Sequence, residues 1–208
     1  MLRDDVDDAG QVAFRRLQSK PEPLALAVAA IAAADPGPSR NERLAFEINS
    51  YNALAMYAVI AQDVPRRLGP LDRIGMFWLT RFDVAGTTTS LADYERDIIR
   101  REREPRLRFA LSCMAVSCPR LFRVPFDASD VDAQLDAAAR WFLSDPSHVR
   151  YDPATRMALL SSVLRGVPTP LAYANRYRVE PIPEDARIAF IPDDWTVNDQ
   201  PGDQAVPP

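Results

Sequence analysis

The stretch NERLAFEINSYNALAMYAVIAQ, residues 41–62, decides the fold of this 208-residue chain. Apolar residues recur along it at Leu44, Ile48, Ala55 and Val59, and other apolar side chains lie beside them. This spacing is helical, and the apolar surface extends over much of the circumference. We therefore predict a long and well-buried helix here.

The segments around this helix predict an α+β fold. Residues 6–18 and 24–34 are read as helices, RFDVAGTTTS as a β-hairpin, and Ser90 as the cap of a further helix. RLRFALSC (106–113) is read as a buried strand, 129–143 as an amphipathic helix, and the later part as three short strands. Long helices come first and strands later, which indicates a helical N-terminal half packed on a small, mainly antiparallel sheet.

Proline-rich breaks divide the chain into three predicted parts. An N-terminal helical arm covers residues 1–39 and ends at the break ADPGPS. One domain follows over residues 40–199. Residues 200–208 have the composition of a disordered tail.

Composition excludes several classes of partner. The net charge of −4 provides no basic field for nucleic acid or an anionic membrane surface. The most apolar stretch, residues 23–34, is shorter than the roughly 20 residues that a membrane span needs. The acidic start lacks a signal-peptide pattern, so we expect a cytoplasmic protein. Its expected partner is a small-molecule or peptide-like substrate, or another protein.

Cys118 is the candidate nucleophile. It follows an apolar run and a loop and precedes Pro119, so it could lie at a helix N-terminus that favours the thiolate. The alternative is a small buried side chain. A disulfide with Cys113 is sterically possible but not expected in the cytoplasm. With His148 as the only histidine, the soft ligands are too few for zinc, and we expect no metal and no cofactor.

Four polar residues on the predicted helices are further candidates. Asn49 and Asn52 are one turn apart on an apolar helix, so they either brace a neighbouring loop or line a pocket. Glu47 beside them could form a surface ion pair with Arg43. Glu95 is either a functional carboxylate or a first-turn acid favoured by the helix dipole.

Several motifs in order resemble the domain of unknown function (DUF) 547 family. LAFEINSYNALAMY is similar to the family's Ala-Phe-Trp-Ile-Asn-Ala-Tyr-Asn-Ala-Leu hallmark, and AGTTTSLADYERDIIR to its Ser-Leu-x-x-Ile-Glu-His segment. EPRLRFALSCMAVSCPRL is similar to its segment that ends in Ser-Cys-Pro. LDAAARWFLSDPSHVRYD and DDWTVND match further blocks. The resemblance covers about residues 40–199.

The resemblance implies a cysteine site, which by analogy is papain-like or transglutaminase-like. Cys118 matches the Cys-Pro cysteine, Cys113 the upstream cysteine, and Glu95 the glutamate of Glu-His. The hallmark asparagines match Asn49 and Asn52. Departures from the pattern are Arg96 and Arg108, which stand where the family has histidines, and Glu47, which replaces the hallmark tryptophan.

Two functional hypotheses follow, and the sequence leaves the enzymatic assignment open. In the first, Cys118 is a thiolate nucleophile for acyl transfer or for amide or thioester hydrolysis. Arg96 or Arg108 lowers its pKa, Glu95 orients one arginine, and an asparagine stabilises the oxyanion. In the second, the chain is a non-catalytic pseudoenzyme or binding protein. Its pocket then holds an anionic small molecule or partner segment through Arg96 and Arg108, with Glu47 as a partner to one arginine.

Overall fold

A computed structural model describes residues 1–201 of the chain. In chain order the helices are α1 (Leu2–Asp5), α2 (Phe14–Ser19), α3 (Glu22–Ala33), α4 (Arg40–Ala61), α5 (Pro70–Ile74), α6 (Leu91–Glu102), α7 (Val131–Ser144) and α8 (Pro170–Asn175). The strands are β1 (Phe82–Val84), β2 (Thr87–Thr89), β3 (Val149–Asp152), β4 (Met157–Ser161) and β5 (Arg187–Ile191). A π-helical turn covers Gly75–Leu79, and 3-10 helices cover Pro105–Phe109 and Ser162–Leu164. The fold is α+β, as the sequence predicts.

The strands form two small sheets. β1 and β2 are an antiparallel hairpin, and the second sheet has the order β3-β4-β5. β3 pairs with β4 antiparallel, whereas β5 pairs with β4 in parallel. A parallel partner requires a long crossover, and residues 162–186, which include α8, provide it. The sheets are thus mainly antiparallel, with one parallel pair.

The helix α4 is the centre of the larger core. Ser39 caps it, and Glu42 completes a capping box by accepting a hydrogen bond from the Ser39 backbone. Leu44, Ile48 and Val59 on this helix have no exposed surface, which confirms the predicted buried helix. The N-terminal residues Val12 and Phe14 pack into the same core.

A second hydrophobic cluster lies between α7, the β3-β4-β5 sheet and α8. Phe109, Phe142 and Leu160 are among its buried side chains. Phe122 packs against both clusters. The 3-10 helix Pro105–Phe109 joins them more directly, because Leu107 belongs to the first cluster and Phe109 to the second.

The helix α3 packs less deeply than its sequence predicts. Of its twelve residues only Leu24 is fully buried, and Leu26 is 71% exposed. Val28 and Ile31 pack partly against the core. No helix within residues 1–201 is long and apolar enough to cross a membrane.

Two predicted elements are wrong. The predicted helix over 6–18 is interrupted, because Asp7 accepts a hydrogen bond from the Gln11 amide and the chain turns at Gly10. Gly10 has φ +82° and lies so close to Arg120 that a Cβ atom would clash. The predicted strand over 106–113 is a 3-10 helix followed by an irregular loop. Leu107 and Phe109 are both buried, so the segment has the alternating buried positions of a strand. It nevertheless pairs with no strand within residues 1–201.

The segment after β5 pairs with three earlier parts of the chain. Isolated bridges join Thr196 to Arg67, Val197 to Ala115 and Asp199 to Val12. Gln200, in the predicted tail, donates its backbone N–H to the Val12 carbonyl at 3.0 Å. The remainder of that tail from residue 202 onward lies outside the described residues. The predicted division into arm, domain and tail stays a prediction.

Candidate functional site

The two cysteines lie on one loop and are joined to each other. Cys113 and Cys118 form a disulfide, and their Cα atoms are 5.6 Å apart. This separation lies within the range that disulfides require. The expectation that the pair stays unbonded therefore differs from the structure, in which neither cysteine is a free thiol.

The loop that carries the cysteines is fixed from two sides. On one side, the Asn52 side chain donates to the Ala110 carbonyl at 2.9 Å and accepts from the Ser112 amide at 2.8 Å. On the other side, Val116 donates to the carbonyl of Thr196 at 2.9 Å. These bonds satisfy the backbone groups of the loop without a neighbouring strand. They also hold the cysteines in a defined position.

A pocket of about 420 Å³ brings four of the predicted site residues together. Cys113, Cys118, Glu95 and Arg108 all line it, and Tyr51 from α4 forms part of its wall. A smaller cavity of about 180 Å³ also borders both cysteines and is otherwise lined by Ser117, Ser162, Asp193, Asp194 and neighbouring residues. The cysteine pair therefore stands between two spaces that small molecules could enter.

Glu95 is the acid of the larger pocket. It lies half-buried on α6 and accepts a hydrogen bond from the Tyr51 hydroxyl at 3.1 Å. Burial raises the pKa of the Glu95 carboxyl, and the Tyr51 hydrogen bond offsets part of this rise. The pKa of Tyr51 is also raised, first by burial and then by the Glu95 charge, so its hydroxyl remains a donor. A carboxyl in this setting is suited to proton transfer nearer to neutral pH.

Arg108 is one of two arginines that line the pocket, and Arg103 is the other. The Arg108 guanidinium donates to the carbonyls of Pro105 at 3.1 Å and Val163 at 3.0 Å. Among residues 1–201 it forms no ion pair with a carboxylate. The remaining donors of the guanidinium fork are available for an anionic group in the pocket.

Arg96 and Glu47 are not part of this pocket. Arg96 pairs with Asp93 at 2.5 Å and lines a neighbouring groove, which shares Glu95 with the pocket. Glu47 is 2% exposed and pairs with Arg101, so the predicted surface pair with Arg43 is wrong. Its ion-pair partner is also neither Arg96 nor Arg108. Burial raises the pKa of the Glu47 carboxyl against the opposing effect of Arg101.

The two hallmark asparagines act as braces. Asn49 donates to the Phe126 carbonyl at 2.8 Å and accepts from the Phe126 amide at 2.9 Å. Asn52 holds the cysteine loop in the same way, through the Ala110 carbonyl and the Ser112 amide. Neither asparagine lines the pocket of the cysteines; both border a different, apolar cavity. The asparagines therefore make the contacts of a brace and also line a cavity, and the geometry gives no support to an oxyanion role beside the cysteines.

His148 does not join the cysteines, and Cys118 does not begin a helix. His148 is 6% exposed and stacks on Phe142, a residue of the second cluster. It lines neither cavity beside the cysteines. The next helix after Cys118 is α7, which begins at Val131, so Cys118 does not stand at the N-terminus of the helix that follows it. Within residues 1–201, no three His, Cys, Asp or Glu side chains could together hold a metal ion.

Tyr51 is the site residue that the sequence did not reveal. It lies between the two asparagines in LAFEINSYNALAMY and is fully buried. Its partner Glu95 is 44 positions away in sequence. The contact depends on the packing of α4 against α6, so no local pattern could have predicted it.

Comparison with known proteins gives one match. Residues 37–143 match the family described as "Protein of unknown function, DUF547". That span includes the cysteine loop, Glu95 and Arg108, but not β3, β4 or β5. No curated protein and no solved structure matches the chain.

Proposed function

The chain belongs to DUF547, a family of proteins of unknown function, and from the side chains that share one pocket we propose a cysteine-dependent hydrolase or acyltransferase. Its nucleophile is Cys118, acting when the disulfide is reduced. The observation that carries the proposal is the pocket that Cys118, Glu95 and Arg108 line together. The working protein then belongs in a reducing compartment, in keeping with the cytoplasmic location predicted from sequence.

The proposed mechanism assigns one step to each side chain. The Cys118 thiolate attacks the acyl carbon of an ester, thioester or amide, and a covalent acyl-enzyme forms. The Glu95 carboxyl donates its proton to the leaving group, a role for which its raised pKa suits it. The Glu95 carboxylate then takes a proton from the water or acceptor that releases the acyl group. Tyr51 holds Glu95 in place, and Arg108 holds an anionic group of the substrate or stabilises the thiolate.

We assign proton transfer to Glu95 because, among residues 1–201, no histidine lines this pocket. His148 is buried against Phe142 of the second cluster, and arginine stays protonated and cannot act as a base. Glu95 is the one carboxyl of this pocket with a raised pKa among the described residues, since Arg106 lowers the pKa of Glu104, the other carboxyl there. Glu95 therefore takes a catalytic role and does not orient an arginine.

A second candidate function is binding without catalysis, and the guanidinium of Arg108, which forms no ion pair with a carboxylate among residues 1–201, favours it. An anionic small molecule could occupy the pocket, with its carboxylate or phosphate on Arg108. Arg96 does not take part in this version, because it is paired with Asp93 outside the pocket.

The test uses the full chain after reduction with a phosphine. The Cys113→Ser protein retains Cys118 and is incubated with p-nitrophenyl acetate and with a small thioester. We expect a burst of product and a mass increase of one acetyl group on Cys118. The increase should be absent in Cys118→Ser, and Glu95→Gln should lower turnover by about 10²–10⁴-fold, the usual worth of a general acid–base.

Further outcomes separate the two candidates. Arg108→Met should weaken turnover of a substrate that carries a carboxylate more than turnover of a neutral one. If Cys118 in the reduced Cys113→Ser protein resists alkylation until the protein unfolds, it is a packing residue and the catalytic proposal fails. Calorimetric binding of succinate or phosphate that Arg108→Met abolishes and Cys118→Ser preserves, with no acyl-enzyme, would establish the binding function instead.

A further inference from the structure

We propose that a second cavity, which lies away from the cysteines, binds the hydrocarbon chain of a fatty acid or fatty acyl ester. The cavity lies between α1, α3, α4 and the segment Leu121–Phe126, and its volume is about 420 Å³. This volume lies within the range of small-molecule sites, which is roughly 300–1,000 Å³. The inference does not depend on the proposed chemistry of Cys118.

The walls of this acyl cavity are mostly apolar. Ala27 and Ile31 line it from α3, Phe46, Ala53 and Met56 from α4, and Phe122 from the loop. Among residues 1–201, no charged side chain lines it. A concave, mostly apolar pocket of this volume is typical of small-molecule sites.

The few polar side chains of the lining are already occupied. The amide groups of Asn49 and Asn52 each donate to and accept from the backbone. Ser50 is 1% exposed, so its hydroxyl offers the cavity almost no surface. A ligand that carried polar groups into the cavity would lose their hydration without new partners there. The chemistry of the walls therefore selects a hydrocarbon.

Hydrogen bonds attach two of the cavity walls to neighbouring elements. The end of α3 is tied to the β-hairpin, because Ala85 donates to the Ile31 carbonyl at 3.0 Å and Gly86 to the Ala32 carbonyl at 2.9 Å. The facing loop is tied to α4 through Asn49 and Phe126. The cavity is thus preformed and does not require an ordering step when the ligand binds.

The depth of the lining favours a slender molecule over a partner helix or a second copy of the chain. Ala53, Phe46 and Phe122 are half-buried and Met56 is fully buried, so most of the apolar surface is recessed. The rim is open at three exposed lining residues, which are Ala30, Pro125 and Val124, the last of them 44% exposed. A flexible acyl chain can pass such a rim, and its polar head group then remains in water.

The test measures binding of cis-parinaric acid, whose fluorescence rises in apolar surroundings, to the full chain. Ala27→Phe and Ala30→Trp place a large side chain in the cavity and at its rim. Ala29→Trp is the matched control, since Ala29 is exposed on the same helix and does not line the cavity. We expect saturable binding that the first two variants weaken by about tenfold or more, with the control unchanged.

Competition identifies the chemistry, and a further variant separates this site from the cysteine site. Laurate and methyl laurate should both displace the probe. Displacement by laurate alone would point to a free fatty acid, and by both to any acyl compound. Cys118→Ser should bind the probe as the parent does, even if the proposed catalysis fails. Equal affinity in all variants, or no saturable binding, overturns the proposal, as does a concentration-dependent dimer that Ala30→Trp disrupts.

Discussion

His148 stacks on the ring of Phe142 with the ring centroids 3.9 Å apart, and it is 6% exposed. Burial lowers the pKa of this imidazole, and Asp145 offsets a smaller part of the change. The folded protein therefore binds the proton less well than the unfolded chain. Stability that is fully present above the ordinary histidine pKa of about 6.5 is lost progressively as the pH falls from that value through the lowered pKa of the folded protein.

Replacing His148 with Phe should remove this loss. A phenyl ring preserves the stack on Phe142 but cannot be protonated. Urea unfolding at pH 7.5 and pH 5.5 should show a smaller drop in stability for His148→Phe than for the parent protein. Because His148 is the only histidine, an identical drop in both proteins would show that this imidazole does not set the acid sensitivity.

Asn52 is the residue on which the position of the cysteine loop depends. Asn52→Leu preserves the volume but leaves the Ala110 carbonyl and the Ser112 amide without partners. An unsatisfied buried backbone group costs about 1–3 kcal/mol, so we expect a loss of at least about 2 kcal/mol in urea unfolding. Alkylation of the reduced cysteines should also become faster.

Asn49→Leu is the control for this effect. It removes two equivalent hydrogen bonds, but they hold Phe126 and not the cysteine loop. A similar loss of stability with unchanged alkylation is expected. Equal acceleration of alkylation in both variants would mean that global loosening, and not the Asn52 contacts, exposes the sulfurs.

At the scale of elements, α4 and α6 are joined by a buried charge. Glu47 from α4 has almost no exposed surface, whereas its partner Arg101 on α6 is about half-exposed. Asn49 and Asn52 on the same helix α4 hold two loops. One helix thus positions the loop at Phe126, the cysteine loop and α6 through polar side chains that its apolar pattern does not predict.

Arg101→Met should destabilise the protein by about 3 kcal/mol, because it leaves the Glu47 carboxylate buried without its main partner. The loss should shrink at pH 5, where the isolated carboxyl takes up a proton. Arg100→Met provides the comparison: Arg100 is an exposed neighbour, and its loss should change the free energy of unfolding by no more than about 0.5 kcal/mol. Similar losses in the two variants would assign no special stability to the Glu47 pair.

The sequence predicts the elements whose cause is local. The helix α4 follows from its period, the hairpin from its turn, and the α6 cap from Ser90, whose hydroxyl accepts from the Asp93 amide at 3.2 Å. The strand prediction for residues 106–113 failed because the side chain of Asn52, which is distant in sequence, bonds to the backbone of this segment in place of a neighbouring strand. The disulfide could not be decided from residue types, because the 5.6 Å approach of its Cα atoms depends on the path of the loop.

The candidate site also has residues that the sequence could predict and residues whose position depends on packing. Cys118, Cys113 and Glu95 were singled out by their motifs, and they do share a pocket with Arg108. The motif positions of Arg96 and Glu47 are close in sequence to site residues, but helix geometry turns these side chains to other faces. The motifs therefore identified some of the residues that line the pocket, whereas the packing of the helices determines which of the other motif residues lie outside it.

At the scale of the whole molecule, the two hydrophobic clusters meet at the 3-10 helix Pro105–Phe109. The Phe109 ring lies 5.2 Å from that of Phe142 and 6.1 Å from that of Tyr173, measured between centroids. The second cluster combines α7, which lies within the family match, with β3 and β4, which lie beyond it. The matched part and the later strands thus share one core.

Phe109→Ala should cost about 3–5 kcal/mol of stability, as removal of a buried aromatic side chain usually does. Hydrogen exchange should show that α7, β3 and β4 lose protection together. Trp78→Ala removes an aromatic side chain that is about half-exposed and should have a much smaller effect. Protection lost in β3 and β4 alone would show that these strands unfold independently of α7.

The bridges that Thr196 and Val197 form can be completed only late in the synthesis of the chain. A ribosome synthesises these residues after Arg67 and Ala115, the two positions that they bind. While the chain is growing, the cysteine loop has its Asn52 contacts but lacks the bonds from the later segment. Cys113 and Cys118 are therefore less restrained in the nascent chain than in the finished protein. Whether they begin as thiols or as a disulfide is then set by the redox conditions at the site of synthesis, before the last segment closes over the loop.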